Sequence, residues 1–164
     1  MTDNQNYFDT LFMMEALEEA LKAFRMKEIP IGAVLVKNLQ IIARGFNQCI
    51  NKVDPTAHAE IIVLRKAAKK LNNYRLNNCA IYVTIEPCIM CMGAITNARL
   101  TKVRFGNFNN KIFTYNLKLE LKKQFNYFMH DIRRLDNRIL NLYCSTIIKY
   151  FLQQKRRKTS IGGV

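Results

Sequence analysis

Two short stretches constrain this chain more than anything else in it: Thr56-Ala57-His58-Ala59-Glu60 and Glu86-Pro87-Cys88-Ile89-Met90-Cys91. His58, Cys88 and Cys91 are all good ligands for a transition metal. Two cysteines three apart on a helix project from one face, about a turn apart. A histidine and two thiolates fill three corners of a tetrahedron and leave the last for water. Three protein ligands plus water is the pattern of a catalytic zinc, whereas structural sites usually close with four. Glu60 stands two residues beyond the histidine. From there it reaches the bound water and moves protons without binding the metal. Any fold for this chain must therefore bring both stretches together around one ion.

His-Ala-Glu followed by Pro-Cys-x-x-Cys resembles the signature of the zinc-dependent nucleobase deaminases. The likeness extends through Ile29-Pro30-Ile31-Gly32-Ala33-Val34-Leu35-Val36, Gly45-Phe46-Asn47, Asp54-Pro55-Thr56-Ala57-His58-Ala59-Glu60-Ile61, Asn73-Tyr74-Arg75-Leu76 and Leu100 to Gly106. It runs from about Phe12 to Gly106 and points to the branch that acts on adenosine in tRNA. The resemblance implies a three-layer α/β/α, cytidine-deaminase-like fold, with a mixed central sheet of about five strands flanked by helices. It implies hydrolysis of adenosine to inosine at the wobble position of an anticodon, in an arginine tRNA. One Zn2+ per subunit would sit on His58, Cys88 and Cys91, lowering the pKa of its water toward about 7. Glu60 would carry the proton, first as base and then as acid. The family's substrate contacts fall on Asn47, Ala59, Glu86, Pro87, Asn109 and Phe151, and the family assembles as a homodimer.

Length and charge bear on the partner. The chain has 164 residues, about half of them hydrophobic, and reads as a single domain over residues 1–158 with a flexible tail at 159–164. No apolar run approaches the roughly 18 residues of a membrane span. The start, with Asp3, Asn4 and Gln5, does not read as a secretory signal. The expected location is cytoplasmic, without membrane attachment. Residues 1–98 hold 11 Lys and Arg against 9 Asp and Glu; residues 99–164 hold 15 against 3. A basic half joined to a near-neutral catalytic half suits a polyanion, with nucleic acid foremost; a merely soluble lysine-rich surface is the plainer reading. Cys49, Cys79 and Cys144 read as small buried hydrophobes rather than a disulfide framework.

Along the chain, apolar spacing predicts a helix over 8–26, with Asp9 or Thr10 as its cap. A hairpin follows, from Pro30 to Val36 and Gln40 to Gly45, then a loop from Asn47 to Val53. Thr56 is expected to cap a helix running to about Leu71, which puts His58 and Glu60 in its first turn. Cys79 to Thr84 reads as a strand, Cys88 to Arg99 as a helix with Pro87 at its start, and Lys102 to Gly106 as a strand. Asp131 to Leu135 reads as a last strand and Ile139 to about Arg157 as a basic final helix, with fraying from Ser160 on. Residues 108–128 mix aromatics with lysines, which suits either stacking on unpaired bases or core packing.

Two readings compete with a tRNA deaminase. A deaminase of a free base or nucleoside, such as cytosine, cytidine or guanine, would use the same zinc and Glu60, but has no use for the basic half. A zinc-stabilised RNA-binding module without catalysis has no use for Glu60. The resemblance loosens after Gly106, where Asn109 stands in place of an acidic residue and a loop of small residues is missing. Loss of a carboxylate there reduces repulsion of a nucleic-acid backbone, so discrimination between RNA and DNA strands should weaken. The native chain is expected to deaminate single-stranded DNA better than an Asn109→Asp variant does. Matched assays on one DNA and one RNA oligonucleotide check this, and equal rates on DNA would refute it.

Overall fold

A computed structural model describes residues 3–109 and 131–161, with side chains to Arg157. The chain opens with helix α1 (Asp3–Arg25), longer at its start than expected. Strands β1 (Gly32–Lys37) and β2 (Gln40–Phe46) form the expected hairpin. Its turn residues Asn38 and Leu39 both have positive φ, 49° and 60°. Such turns match the right-handed twist of the flanking strands. A one-turn helix α2 (Cys49–Lys52) lies inside the stretch expected to be loop. Then come α3 (Ala59–Lys70), β3 (Cys79–Ile85), α4 (Ile89–Asn97) and β4 (Lys102–Asn107). After the undescribed residues, β5 (Asp131–Arg134) and α5 (Arg138–Ile161) close the chain. Helix α5 passes the expected end at Arg157 and is still helical at Ser160.

The sheet order is β2-β1-β3-β4-β5. β1 is antiparallel to both β2 and β3, whereas β3, β4 and β5 run parallel. Side chains alternate across a strand, and the burial follows that alternation. Ala33, Leu35, Ile81, Val83, Val103 and Phe105 join the core under α3 and α4. Val34, Val36 and Tyr82 point the other way, to Phe12, Met13 and Ala16 of α1 and to Leu140 and Cys144 of α5. The result is the three-layer arrangement, with helices on both faces of a mixed sheet. Small residues set the outer spacing: Ala16, Ala20 and Ala23 of α1 are fully buried. A Cβ on Gly32 would lie 2.1 Å from the Ala16 carbonyl oxygen. Among the described residues no helix is long and apolar enough to cross a membrane.

Asp9 does not cap α1. It is buried within the helix, where its carboxylate accepts hydrogen bonds from the Tyr82 hydroxyl (2.7 Å) and from Arg104 Nε (3.0 Å). The Arg104 Nη2 donates in turn to Asp131 (2.6 Å). Burial pushes the Asp131 carboxyl up, but Arg133 and Arg104 outweigh it and hold it at about 2. This network ties α1 to β3, β4 and β5 through the apolar layer. Removing one partner of a buried pair strands the other charge, at about 3–5 kcal/mol. Arg104→Met is therefore expected to lower the thermal midpoint by about 6 °C or more, as scanning calorimetry would show. A shift under a degree would mean that the network contributes little.

Candidate active site

The helix carrying His58 does not start where Thr56 suggested. Asp54 Oδ1 accepts from both the Thr56 amide (2.8 Å) and hydroxyl (2.7 Å). An Asp that bonds the backbone two residues on makes a turn, and this one consumes the Thr56 hydroxyl. The chain then stays extended through His58 (φ −68°, ψ 155°), which is itself the N-cap of α3. Glu60 alone falls in the first turn. The Ala59 amide, free of any local cap, donates to Asn47 Oδ1 across the loop (3.2 Å). Helix α4 begins the same way: Cys88 is its N-cap, extended at φ −70° and ψ 172°, and Cys91 lies in its first turn. Both helix starts are thus presented by residues whose side chains leave the backbone before the helix forms.

The two starts converge. His58 Nδ1 lies 3.6 Å from Cys88 Sγ and 3.5 Å from Cys91 Sγ. All three donor atoms fall within 4.8 Å of one another, and among the described residues the group ends at three. Bonds of about 2.3 Å to sulfur and 2.0–2.1 Å to nitrogen at the tetrahedral angle separate S and N by about 3.6 Å. The observed spacing fits such an ion. Cys91 is buried while His58 and Cys88 are half-buried, so the group is open on one side. Glu60 is 3% exposed and hydrogen-bonded to Cys91, yet stands outside the ligand group.

Left to protons, these donors share them unequally. The Cys91 thiol donates to Cys88 and holds it as thiolate down to about 4; burial opposes this and His58 assists. Cys91 is driven well above the ordinary thiol value by that same bond and by burial. The bond to Cys88 raises His58 against the effect of burial. Burial pushes the Glu60 carboxyl up to about 7, a value at which a carboxylate both takes and gives protons near neutrality.

The other sequence-predicted residues scatter around this centre. Asn47 is buried and holds the Ala59 amide, so Ala59 is committed to Asn47 within the fold. Glu86 and Pro87 are buried directly before Cys88. Glu86 Oε2 accepts from the Asn109 amide (3.2 Å), joining the metal-ligand loop to the end of β4. The Phe151 ring is buried edge-on against Phe24, with the Lys155 ammonium 5.6 Å from its centre. Phe108 is exposed and packs on Phe105, with Arg134 over its ring. The aromatics and lysines of the stretch from 110 to 128 lie outside the described residues. Sequence reasoning missed Asp54 as a turn former, although Asp-Pro-Thr carries that signal.

A sheet that delivers His, Cys and Cys from two helix starts beside a buried carboxylate defines a metal-site deaminase. The family described as MafB19-like deaminase matches residues 8–156. The chain is 41% identical to the tRNA-specific adenosine deaminase of Haemophilus influenzae, covering 94% of this chain and 88% of that one. With the tRNA-specific adenosine deaminase of Bacillus subtilis the identity is 39%, covering 92% of each. Among solved structures, one from a study of A-to-I editing by tRNA:A34 deaminases at the wobble position superposes with a TM-score of 0.76. It is 35% identical over 84% of this chain and 99% of that one. The guanine deaminase of Bacillus subtilis superposes with a TM-score of 0.55, at 40% identity over 66% of this chain and 64% of that one. The chain belongs to the family of tRNA-specific adenosine deaminases.

Ligation requires thiolate and neutral imidazole, so metal must displace the Cys91 proton and any proton on His58. Binding of Zn2+ is expected to release protons and to weaken as pH falls. Calorimetric titration in buffers of different ionisation enthalpy measures the release. No proton release at pH 7 would contradict the arrangement of donors.

Proposed function

We propose that the protein hydrolyses the wobble adenosine of a tRNA anticodon to inosine, in the cytoplasm and as a homodimer, with Zn2+ on His58, Cys88 and Cys91. The observation that carries this reading is Glu60: a buried carboxylate beside Cys91 and outside the ligand group. A purely structural metal site has no use for such a group. An arginine tRNA is the substrate that the sequence resemblance implies.

Zn2+ bound there would lower the pKa of its water toward about 7 and so supply a nucleophile at neutral pH. Glu60 takes the proton of the attacking water on its carboxylate and passes it to the ring nitrogen next to C6. It then takes the proton of the new C6 hydroxyl and delivers it to the amino group, which leaves as ammonia while C6 keeps the oxygen as a carbonyl, so one side chain acts as base and as acid. Its burial favours this exchange, because a carboxylate in bulk water is too weak a base at its ordinary value. Asn47, fixed through Ala59 to the start of α3, would orient the nucleoside. Pro87 and Glu86, buried before Cys88, would line its approach. The base must leave its stack to reach a site this deep, and an anticodon loop lowers that cost because its bases are already unpaired. Lys155, Arg156 and Arg157 are exposed on α5 and suit contact with phosphates.

Similarity to a guanine deaminase keeps the free-base reading in view, and one experiment separates the two. Purified protein loaded with Zn2+ is given a tRNA anticodon stem-loop, free adenosine and free guanine. Inosine is expected at the wobble position of the stem-loop, detected by sequencing, with little turnover of the small substrates. Ammonia from a free base and none from the stem-loop would overturn the proposal. Glu60→Gln is expected to retain one metal per chain and lose at least about 10²-fold in kcat. A zinc-loaded variant with near native rate would remove Glu60 from the mechanism.

A further inference from the structure

Glu28 is a carboxylic acid with 1% of its surface exposed, outside the group of residues that performs the chemistry. Its position is set by the end of α1. Lys27 adopts a left-handed conformation (φ 61°), the Lys27 amide donates to Phe24, and the Glu28 amide donates to Ala23 (3.0 Å). A helix that ends this way fixes the direction of the residue after the turn. One oxygen, Glu28 Oε1, accepts from both the Asn51 backbone amide (2.8 Å) and Asn51 Nδ2 (2.9 Å). Hydrogen bonds to a charged acceptor are about twice as strong as neutral ones, and burial shields these two from water.

Asn51 sits in α2, halfway along the loop that begins at Asn47 and ends at His58. Asn47 donates its amide to the Ile31 carbonyl (3.0 Å), and Gln48 donates to Ala57 (2.9 Å). Asn47 Oδ1 holds the Ala59 amide. The loop is thus pinned at its two ends by Ile31, just before β1, and by α3, to which Asp54 is also paired through Arg65 (3.7 Å), and in its middle by Glu28. That middle pin is a single residue pair, with its donor Asn51 exposed and its acceptor buried.

We propose that Glu28 is a positioning residue for deamination: its buried carboxylate, clamped on Asn51, holds the 47–58 loop so that Asn47 and His58 keep their places at the reacting base. The proposal rests on the deaminase reading above. A misplacement of about 1 Å at a reacting centre costs about 10²-fold in rate, so a slack loop lowers kcat while leaving the fold intact.

The test exchanges donor and acceptor. Asn51→Asp faces one carboxylate with another and breaks the clamp from the exposed side. Glu28→Gln combined with Asn51→Asp restores the pair: the Gln amide group donates to the new carboxylate, its oxygen still accepts the residue 51 amide, and net charge returns to the native value. Asn51→Asp is expected to lower kcat on the anticodon stem-loop by about 10–100-fold. Metal content stays native, the thermal midpoint falls by a few degrees but stays well above the assay temperature, and hydrogen exchange across 47–58 becomes faster. The double variant is expected to recover most of kcat and of the protection. Native kcat and exchange in Asn51→Asp would overturn the proposal, as would a double variant no better than the single one. A kcat that falls only in step with metal content or with the folded fraction at the assay temperature would overturn it too. Exchange is read without substrate. A native protein that forms no inosine therefore defeats the functional reading alone, and unchanged exchange in an active series defeats only the clamp.

Discussion

Two helix N-termini meeting at one point create an electrostatic problem that the ligand set solves. Each helix start carries roughly half a positive charge, and a dication placed between two of them would be repelled. Cys88 and Cys91 reverse the sign. Both stand at the start of α4, where the dipole favours thiolate, and two thiolates would balance a bound dication. His58 would add a third bond without adding charge. Glu60 stands outside the three donors, and burial pushes its carboxyl up to about 7.

The convergence rests on the sheet. β3 and β4 are parallel neighbours, so the segment between them must cross over a face, and α4 does this. α3 lies on that same face, after the hairpin of β1 and β2. Their starts meet at one end of the sheet because β1 and β3 are paired in the register Ala33 to Val83. The opposite face does different work. There Arg104 replaces an apolar side chain and binds Asp9 of α1 and Asp131 of β5. A buried ion network is poor at adding stability but is satisfied in only one alignment of its partners. In this chain it links the first helix to the strand that precedes the last one.

What the sequence disclosed was whatever is local or periodic. The apolar run of β1, the strand pattern of β3, the hairpin turn and the paired cysteines after a proline are short-range signals, and each appears in the structure. Asp9 was misjudged because its partner is Arg104, 95 residues away, and a polar residue near a helix start otherwise looks like a cap. Thr56 was misjudged because two local bonds compete for one hydroxyl, and the turn made by Asp54 prevails. α2 is a single turn, too short for any period to show. Phe151 lies at helical spacing among apolar residues, a pattern shared by core and ligand-facing aromatics; its burial against Phe24 decides for the core within this chain.

Substrate choice is where catalytic chemistry stops being informative. A guanine deaminase superposes on this chain at 40% identity, so likeness to a deaminase does not tell a free base from tRNA at His58, Cys88, Cys91 and Glu60. Discrimination must come from what surrounds them. A free base presents no charge to a distant surface, and its affinity is set inside the pocket. An anticodon loop brings a phosphate for every base, each of which releases counterions when a cation meets it. Residues 99–164 hold 15 basic residues against 3 acidic ones, and Lys155, Arg156 and Arg157 are exposed on α5, a surface suited to a polyanion. A small neutral substrate would gain nothing from it, so the charge asymmetry of the chain carries the information about its substrate that the metal group cannot.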